Sequence, residues 1–125
     1  MRLSQEETVP TVLLVESDVN ERVASQNGLE THGFRVLPAQ SGQKALDLCH
    51  SQKIDVAVVE SLLPDMHGLD VIGHIASECE GVSIVLCTSD PGCVNSFRSW
   101  AADAIVEESP DASELVRHVT ALLQH

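Results

Sequence analysis

The chain has 125 residues, 43% of them hydrophobic, which is enough for one domain built around one sizeable core. Nineteen acidic residues against seven basic ones leave a formal net charge of −12, which repels polyanions and argues against direct binding to DNA, RNA or an anionic membrane. Two Phe, one Trp and no Tyr leave the core to Val, Leu, Ile and Ala, a composition suited to helices laid on a parallel sheet.

Residues 1–10 read as a polar leader and 11–125 as the domain. The first apolar run, Val12 to Val15, is far too short for a signal peptide or a membrane span, so a cytoplasmic protein is expected. Thr11-Val-Leu-Leu-Val15 is continuous, apolar and rich in β-branched residues, the pattern of a strand buried on both faces. A first helix is expected from about Val19 to His32, stopped by Gly33. Its apolar face is thinned by Ser25, Gln26, Asn27 and Gly28, and Gly28 costs about 1 kcal/mol of helix propensity relative to Ala.

Phe34 to Pro38 reads as a weaker, edge strand, and Ser41 as the start of a helix carrying Ala45 and Leu46. Asp55 to Val59 and Ser83 to Cys87 are two more buried strands, separated by a helix with Leu69, Ile72, Ile75 and Ala76 on one stripe. Asp90-Pro91 opens a further helix with Val94 and Phe97. Asp103 to Val106 is a second weak strand, and Asp111-x-x-Glu114 reads as a capping box before a last helix striped with Leu115, Val119, Leu122 and Leu123. Strands alternating with helices imply right-handed βαβ units, hence a doubly wound (βα)₅ α/β domain with a parallel five-stranded sheet.

In such a sheet, chemistry gathers beyond the carboxyl ends of the strands. Those positions hold Glu16, Ser17 and Asp18 after strand one, Glu60 after strand three, Thr88 and Ser89 after strand four, and Glu107 and Glu108 after strand five. The cysteines, Cys49, Cys79, Cys87 and Cys93, form no C-x-x-C pair, and read as reduced, mostly buried thiols. None of the six histidines is spaced with a Cys for zinc, so no metal centre is expected.

With these residues in place, the sequence resembles the receiver domain of bacterial two-component response regulators. The carrying segments are Val12-Leu-Leu-Val-Glu-Ser-Asp18, Asp55-Val-Ala-Val-Val-Glu60, Leu63-Pro64-Asp-Met-His-Gly68, Ile84-Val-Leu-Cys-Thr-Ser89 and Ala101-Ala-Asp-Ala-Ile-Val106. Pro64 and Gly68 fall four and eight residues after Glu60, as they do after the phospho-acceptor in that family. The resemblance implies a CheY-like, flavodoxin-type strand order of 2-1-3-4-5. It also implies a pocket in which two acids and an acceptor Asp hold Mg²⁺ while a hydroxyl and a Lys bind the phosphoryl oxygens.

Carried over residue by residue, Glu16 and Ser17 stand for the two acids, Glu60 for the acceptor, Thr88 for the hydroxyl and Glu108 for the lysine. Only the hydroxyl is kept, and the last lysine in the chain is Lys53. Glu60 is one methylene longer than Asp, a displacement on the order of 1.5 Å and of the size that costs about 10²-fold in rate. The expectation is therefore a pseudo-receiver, not an enzyme, that works by protein–protein contact with Mg²⁺ binding lost or weak.

Thr88 and Ile105 occupy the two switch positions, and Ile105 lacks the usual ring. Arg98, Trp100 and Ile105 mark the expected partner surface on the helix after strand four, strand five and the last helix, a face that could also make a homodimer. Expected partners are a histidine kinase, an effector domain or another signalling protein. Glu16, Glu60 and Glu108 should converge and raise at least one pKa, and a weak divalent site of Glu16, Asp18 and Glu60 is one alternative outcome. Glu60 as a built-in mimic of the charged state is a second reading. Rival functions are a receiver that phosphorylates Glu60 and a flavodoxin-like ligand binder or enzyme, the latter disfavoured because no Gly-rich phosphate loop follows strand one. The chain is read as either a stand-alone domain or a piece of a longer regulator.

Overall fold

The computed structural model describes residues 9–89, 101–109 and 111–124. Five strands, β1 (Thr11–Val15), β2 (Arg35–Ala39), β3 (Val56–Glu60), β4 (Ser83–Thr88) and β5 (Ala104–Glu107), form one parallel sheet in the order β2-β1-β3-β4-β5. Four described helices connect or follow them: α1 (Val19–Thr31), α2 (Gly42–Ser51), α3 (Gly68–Glu78) and α4 (Ser113–Leu122). The expected helix opened by Asp90-Pro91, with Arg98 and Trp100, lies outside the described residues.

Every residue of β1 and β3 is buried, because both faces of the sheet are covered. On one face, Leu13, Val15, Ala57 and Val59 pack with Ala45, Leu46 and Cys49 of α2 and Val71, Ile72 and Ile75 of α3. On the other, Val12, Leu14, Val56 and Val58 pack with Leu29 of α1 and Leu115, Val116 and Val119 of α4. Pro38 lies in β2, the sheet edge, where a missing N–H does least harm. The α3 stripe differs from expectation in one position: Val71 is buried and Ala76 is exposed.

The helix ends follow local chemistry. Asp18 caps α1 by accepting the Glu21 N–H at 3.0 Å, and Ser41 caps α2 through the Lys44 N–H at 3.2 Å. Gly33, at φ +92°, ends α1 with its N–H on Glu30 and the Phe34 N–H on Leu29, a Schellman pair. The capping box expected at Asp111 does not form. Ala112 holds the N-cap position of α4 with no side-chain cap, and the Asp111 carboxylate accepts the Ser113 N–H instead.

Gly28, the residue that weakens α1 on propensity, sits where α1 meets the start of α4. A Cβ there would lie 2.9 Å from the Ala112 Cβ and 3.5 Å from Val116 Cγ2, so the helix pair approaches as it does because no side chain intervenes. Propensity alone would have Gly28→Ala stabilise by about 1 kcal/mol. The contact predicts the opposite sign, a net loss of about 0.5–1 kcal/mol in urea unfolding, since Ala112 has no flexible end to swing away.

Candidate functional site

The carboxyl ends of β1, β3, β4 and β5 meet at one edge of the sheet, where Glu16, Glu60 and Thr88 are buried and Glu108 is half-buried. Glu60 is the last residue of β3 and Thr88 the last of β4, so the strand ladders fix both backbones. The register sets β1 beside β3 and β3 beside β4. The Glu108 N–H bonds the Thr88 carbonyl at 2.9 Å, and the Glu16 N–H bonds the Ala39 carbonyl at 3.0 Å, extending the pairing past the strands and fixing those side chains' roots.

Within the pocket Glu60 Oε1 is bonded twice by Ser17, through the backbone N–H at 2.6 Å and the hydroxyl at 2.5 Å. Glu16 Oε2 accepts the Asp18 N–H at 3.2 Å. Burial, first, and the neighbouring Glu60 charge, second, nonetheless push the Glu16 carboxyl up to about 8. The Asp18 N–H pulls it down, while a hydrogen bond with Glu60 and the Glu108 charge add to the rise. Glu108 is pushed up to about 7, chiefly by burial and then by Glu21, with Glu60 and Asp18 contributing. The Cys87 thiol beneath them is held up at about 12 by burial and by the same acids, Glu108 foremost. Two carboxyls therefore carry protons near neutral pH.

Sequence reasoning missed two members of this pocket. Glu21, on the first turn of α1, brings a carboxylate oxygen within 4.8 Å of those of Glu16 and Glu108. Its position three residues after an N-cap reads equally as an acid placed for the helix dipole, so spacing alone gave no reason to choose it. Arg22 donates to the carbonyl oxygens of Glu16 at 2.9 Å and Ser17 at 3.4 Å. It is a cation at the pocket's rim, fastened to backbone. Asp18, expected to face the pocket, spends Oδ1 on the α1 cap and acts on its neighbours through its backbone N–H and its charge. The carboxylate oxygens of Glu16, Glu21 and Glu108 lie within 4.8 Å of one another, and Glu60 joins them through its hydrogen bond with Glu16.

Thr88 Oγ1 accepts the Ser61 hydroxyl at 3.0 Å, a contact between the first loop residue after β3 and the end of β4. The loop after β3 is itself anchored: Asp65 accepts the Gly42 and Gln43 N–H groups at the start of α2, at 2.8 and 3.0 Å, which holds its carboxyl below the usual range. Ile105, the second switch position, pairs with Leu86 across β4 and β5 and packs half-buried against the α2/α3 side of the core. Lys53 is far from all of this in the topology. It precedes β3, at the amino edge of the sheet, and pairs with Asp55 at 3.3 Å.

Residues 12–120 match the family described as the response regulator receiver domain. The chain belongs to that family. Among its relatives, a Thermotoga maritima protein named cyclic di-GMP phosphodiesterase is 35% identical over 109 residues, 86% of this chain and 29% of the relative. The probable transcriptional regulatory protein TcrX of Mycobacterium tuberculosis is 29% identical over 116 residues, 91% of this chain and 50% of TcrX. The receiver therefore spans half or less of these curated relatives, whose names describe longer chains. Its fold matches the response regulator TrrA of Thermotoga maritima, solved with Mg²⁺ and BeF, at TM-score 0.87 and 29% identity over 91% of this chain and 99% of TrrA. TrrA has also been solved in complex with the histidine kinase ThkA, where the match has TM-score 0.84 at 29% identity, covering 92% of this chain and 99% of the matched chain. No described helix is long and apolar enough to cross a membrane.

Proposed function

We propose that this receiver domain signals through protein contacts that do not depend on an aspartyl phosphate, in the cytoplasm, with a histidine kinase, an effector domain or another signalling protein as partner. The carrying observation is at Glu60: one of its two carboxylate oxygens, Oε1, is bonded by both the N–H and the hydroxyl of Ser17, 2.6 and 2.5 Å away. Around it the chemistry runs against an anion. Burial first, and neighbouring acids after it, push the Glu16 and Glu108 carboxyls up toward neutrality, and the position expected to supply a lysine supplies Glu108. A metaphosphate-like group arriving there would meet carboxyls where electrostatic stabilisation calls for an ammonium.

The donor set also departs from what Mg²⁺ requires in this family. One of the two acids is Ser17, whose hydroxyl brings no negative charge to a cation and donates to Glu60. Glu16 has to lose a proton held up to about pH 8 before it can bind a hard cation.

Incubation with Mg²⁺ and acetyl phosphate, followed by intact mass measurement, tests the reading. The native chain should keep its mass; a stable gain of one phosphoryl group on Glu60 would overturn the proposal in favour of a working acceptor. The combination Glu60→Asp, Ser17→Asp and Glu108→Lys restores the expected acids, acceptor and ammonium. It should raise acceptance by at least about 10²-fold, the scale of a reacting group brought back into position.

A further inference from the structure

We propose that Cys49 and Cys79 are an oxidisable thiol pair, which a small-molecule disulfide converts into a cross-link fastening the end of α2 to the end of α3. Cys49 lies in the last turns of α2 and Cys79 is the residue that ends α3. The Cys79 Sγ lies 3.8 Å from the Cys49 carbonyl, to which it donates. The two thiols also act directly on one another: after burial, the Cys79 thiol and its hydrogen bond are what raise Cys49, to about 12. Both side chains belong to the same apolar cluster between the helices and the sheet.

The seam is held shut beside them. His50 and Glu78, the next residue along on one helix and the preceding one on the other, pair at 2.9 Å, and His74 grips the second Glu78 oxygen at 2.7 Å. Cys87 is excluded from the pair, since it belongs to β4 and packs toward the opposite face of the sheet. Cys49 is 9% exposed while Cys79 is only partly covered, which orders the steps. The Cys79 thiolate attacks one sulfur of the disulfide R–S–S–R and expels RS⁻. The Cys49 thiolate then attacks the Cys79 sulfur of that mixed disulfide and expels the second RS⁻. Two protein thiols are oxidised, one small disulfide is reduced to two thiols, and the two protons end on the leaving groups. Burial, which raises the Cys49 thiol, slows the second step.

The cross-link would act on the loop after β3. That loop enters α3 at Gly68 and grips the start of α2 through Asp65, so fastening the far ends of the two helices fixes both of its supports. In a reducing compartment such a bond is formed only under oxidative load, as a signal and not as a permanent staple. This inference is independent of the phosphate-free reading of the acidic pocket.

The test uses the Cys87→Ser, Cys93→Ser chain treated with oxidised glutathione. The mass should fall by two hydrogens, a non-reducing peptide map should link residues 49 and 79, and Tm should rise by at least about 5 °C and return with dithiothreitol. Adding Cys49→Ser should leave one glutathione on Cys79, and adding Cys79→Ser should leave Cys49 unmodified. A chain with native circular dichroism that stops at the mixed disulfide, links only between molecules, or does not react at all overturns the proposal.

Discussion

Gly68→Ala is expected to lose about 3 kcal/mol or more of stability, a large share of the roughly 5–15 kcal/mol that holds a domain of this kind together. A Cβ at residue 68 would sit 2.0 Å from the Glu60 carbonyl oxygen, 2.9 Å from its carbon and 3.0 Å from the Ser61 Cα. All three are backbone atoms of β3 and its first loop residue, so no rotamer change relieves the overlap. The φ of Gly68 is not positive, and the cost is therefore one of space alone. The same residue donates its N–H to the Ser61 carbonyl at 2.8 Å while Leu62 and His67 form a bridge around it. Alanine would push α3 away from the strand that ends in Glu60. Gly73→Ala is the internal control, since it lies in the same helix with nothing within 4 Å of an added Cβ. It should gain about 0.5–1 kcal/mol from propensity. Urea titrations in which the two variants fall on the same side of the parent would contradict this account.

Gly68 also shows what kind of information the sequence carried. Its spacing from Glu60 was visible as part of a motif, but the reason for a glycine there, a strand carbonyl 2.0 Å from its missing side chain, is a contact between two segments that only the fold brings together. The strands were legible because buried parallel strands are continuous apolar runs: β1 has its expected bounds, β4 gains Thr88, and β3 is shifted by one residue to end on Glu60. The weak edge strands β2 and β5 were shifted by one residue, each taking its final C-terminal residue from what looked like loop. The convergence of Glu16, Glu60 and Glu108 followed from topology and was expected with its pKa consequence.

What local pattern could not show was how those acids are partnered. Ser17 reads as a lost ligand in the sequence, whereas in the fold it is the donor that occupies Glu60. Asp18 reads as a pocket acid and is a helix cap, because the cap N–H is closer at hand than the pocket. Asp65 is exposed and would pass for a loop residue, yet it closes the start of α2 from 23 residues away. Gly28 reads as a defect of α1 and proves to be the contact that lets α1 reach α4.

Folding stability should fall as pH rises from about 5 to about 8.5, and Glu16→Gln should remove most of that fall. Glu16 titrates near 4.5 when the chain is unfolded and near 8 when it is folded, so between those values the folded protein keeps a proton that the unfolded chain has released. The folded state therefore binds more protons than the unfolded one, and stability declines with pH across that window and levels off above it. Glu108, raised to about 7, slopes the same way over a narrower range. The carboxyls with lowered values, Asp65, Glu78, Asp111 and Glu114, slope the opposite way, but only below the ordinary carboxylate range. They leave the neutral window to the pocket. After discounting for residual solvent at the site, Glu16 accounts for about 2–3 kcal/mol between the two ends of the range. Gln has the shape of the protonated acid, so Glu16→Gln should match the parent at pH 5 and exceed it by that amount at pH 8.5. Self-repulsion from a net charge of −12 also grows with pH, but it is spread over the surface and would survive the substitution nearly unchanged. A parent whose urea midpoint stays flat or rises from pH 5 to 8.5, or a variant that keeps the parent's slope, would mean that Glu16 does not hold its proton in the pocket. The crowding that argues against a phosphoryl group at Glu60 would then lose its physical basis.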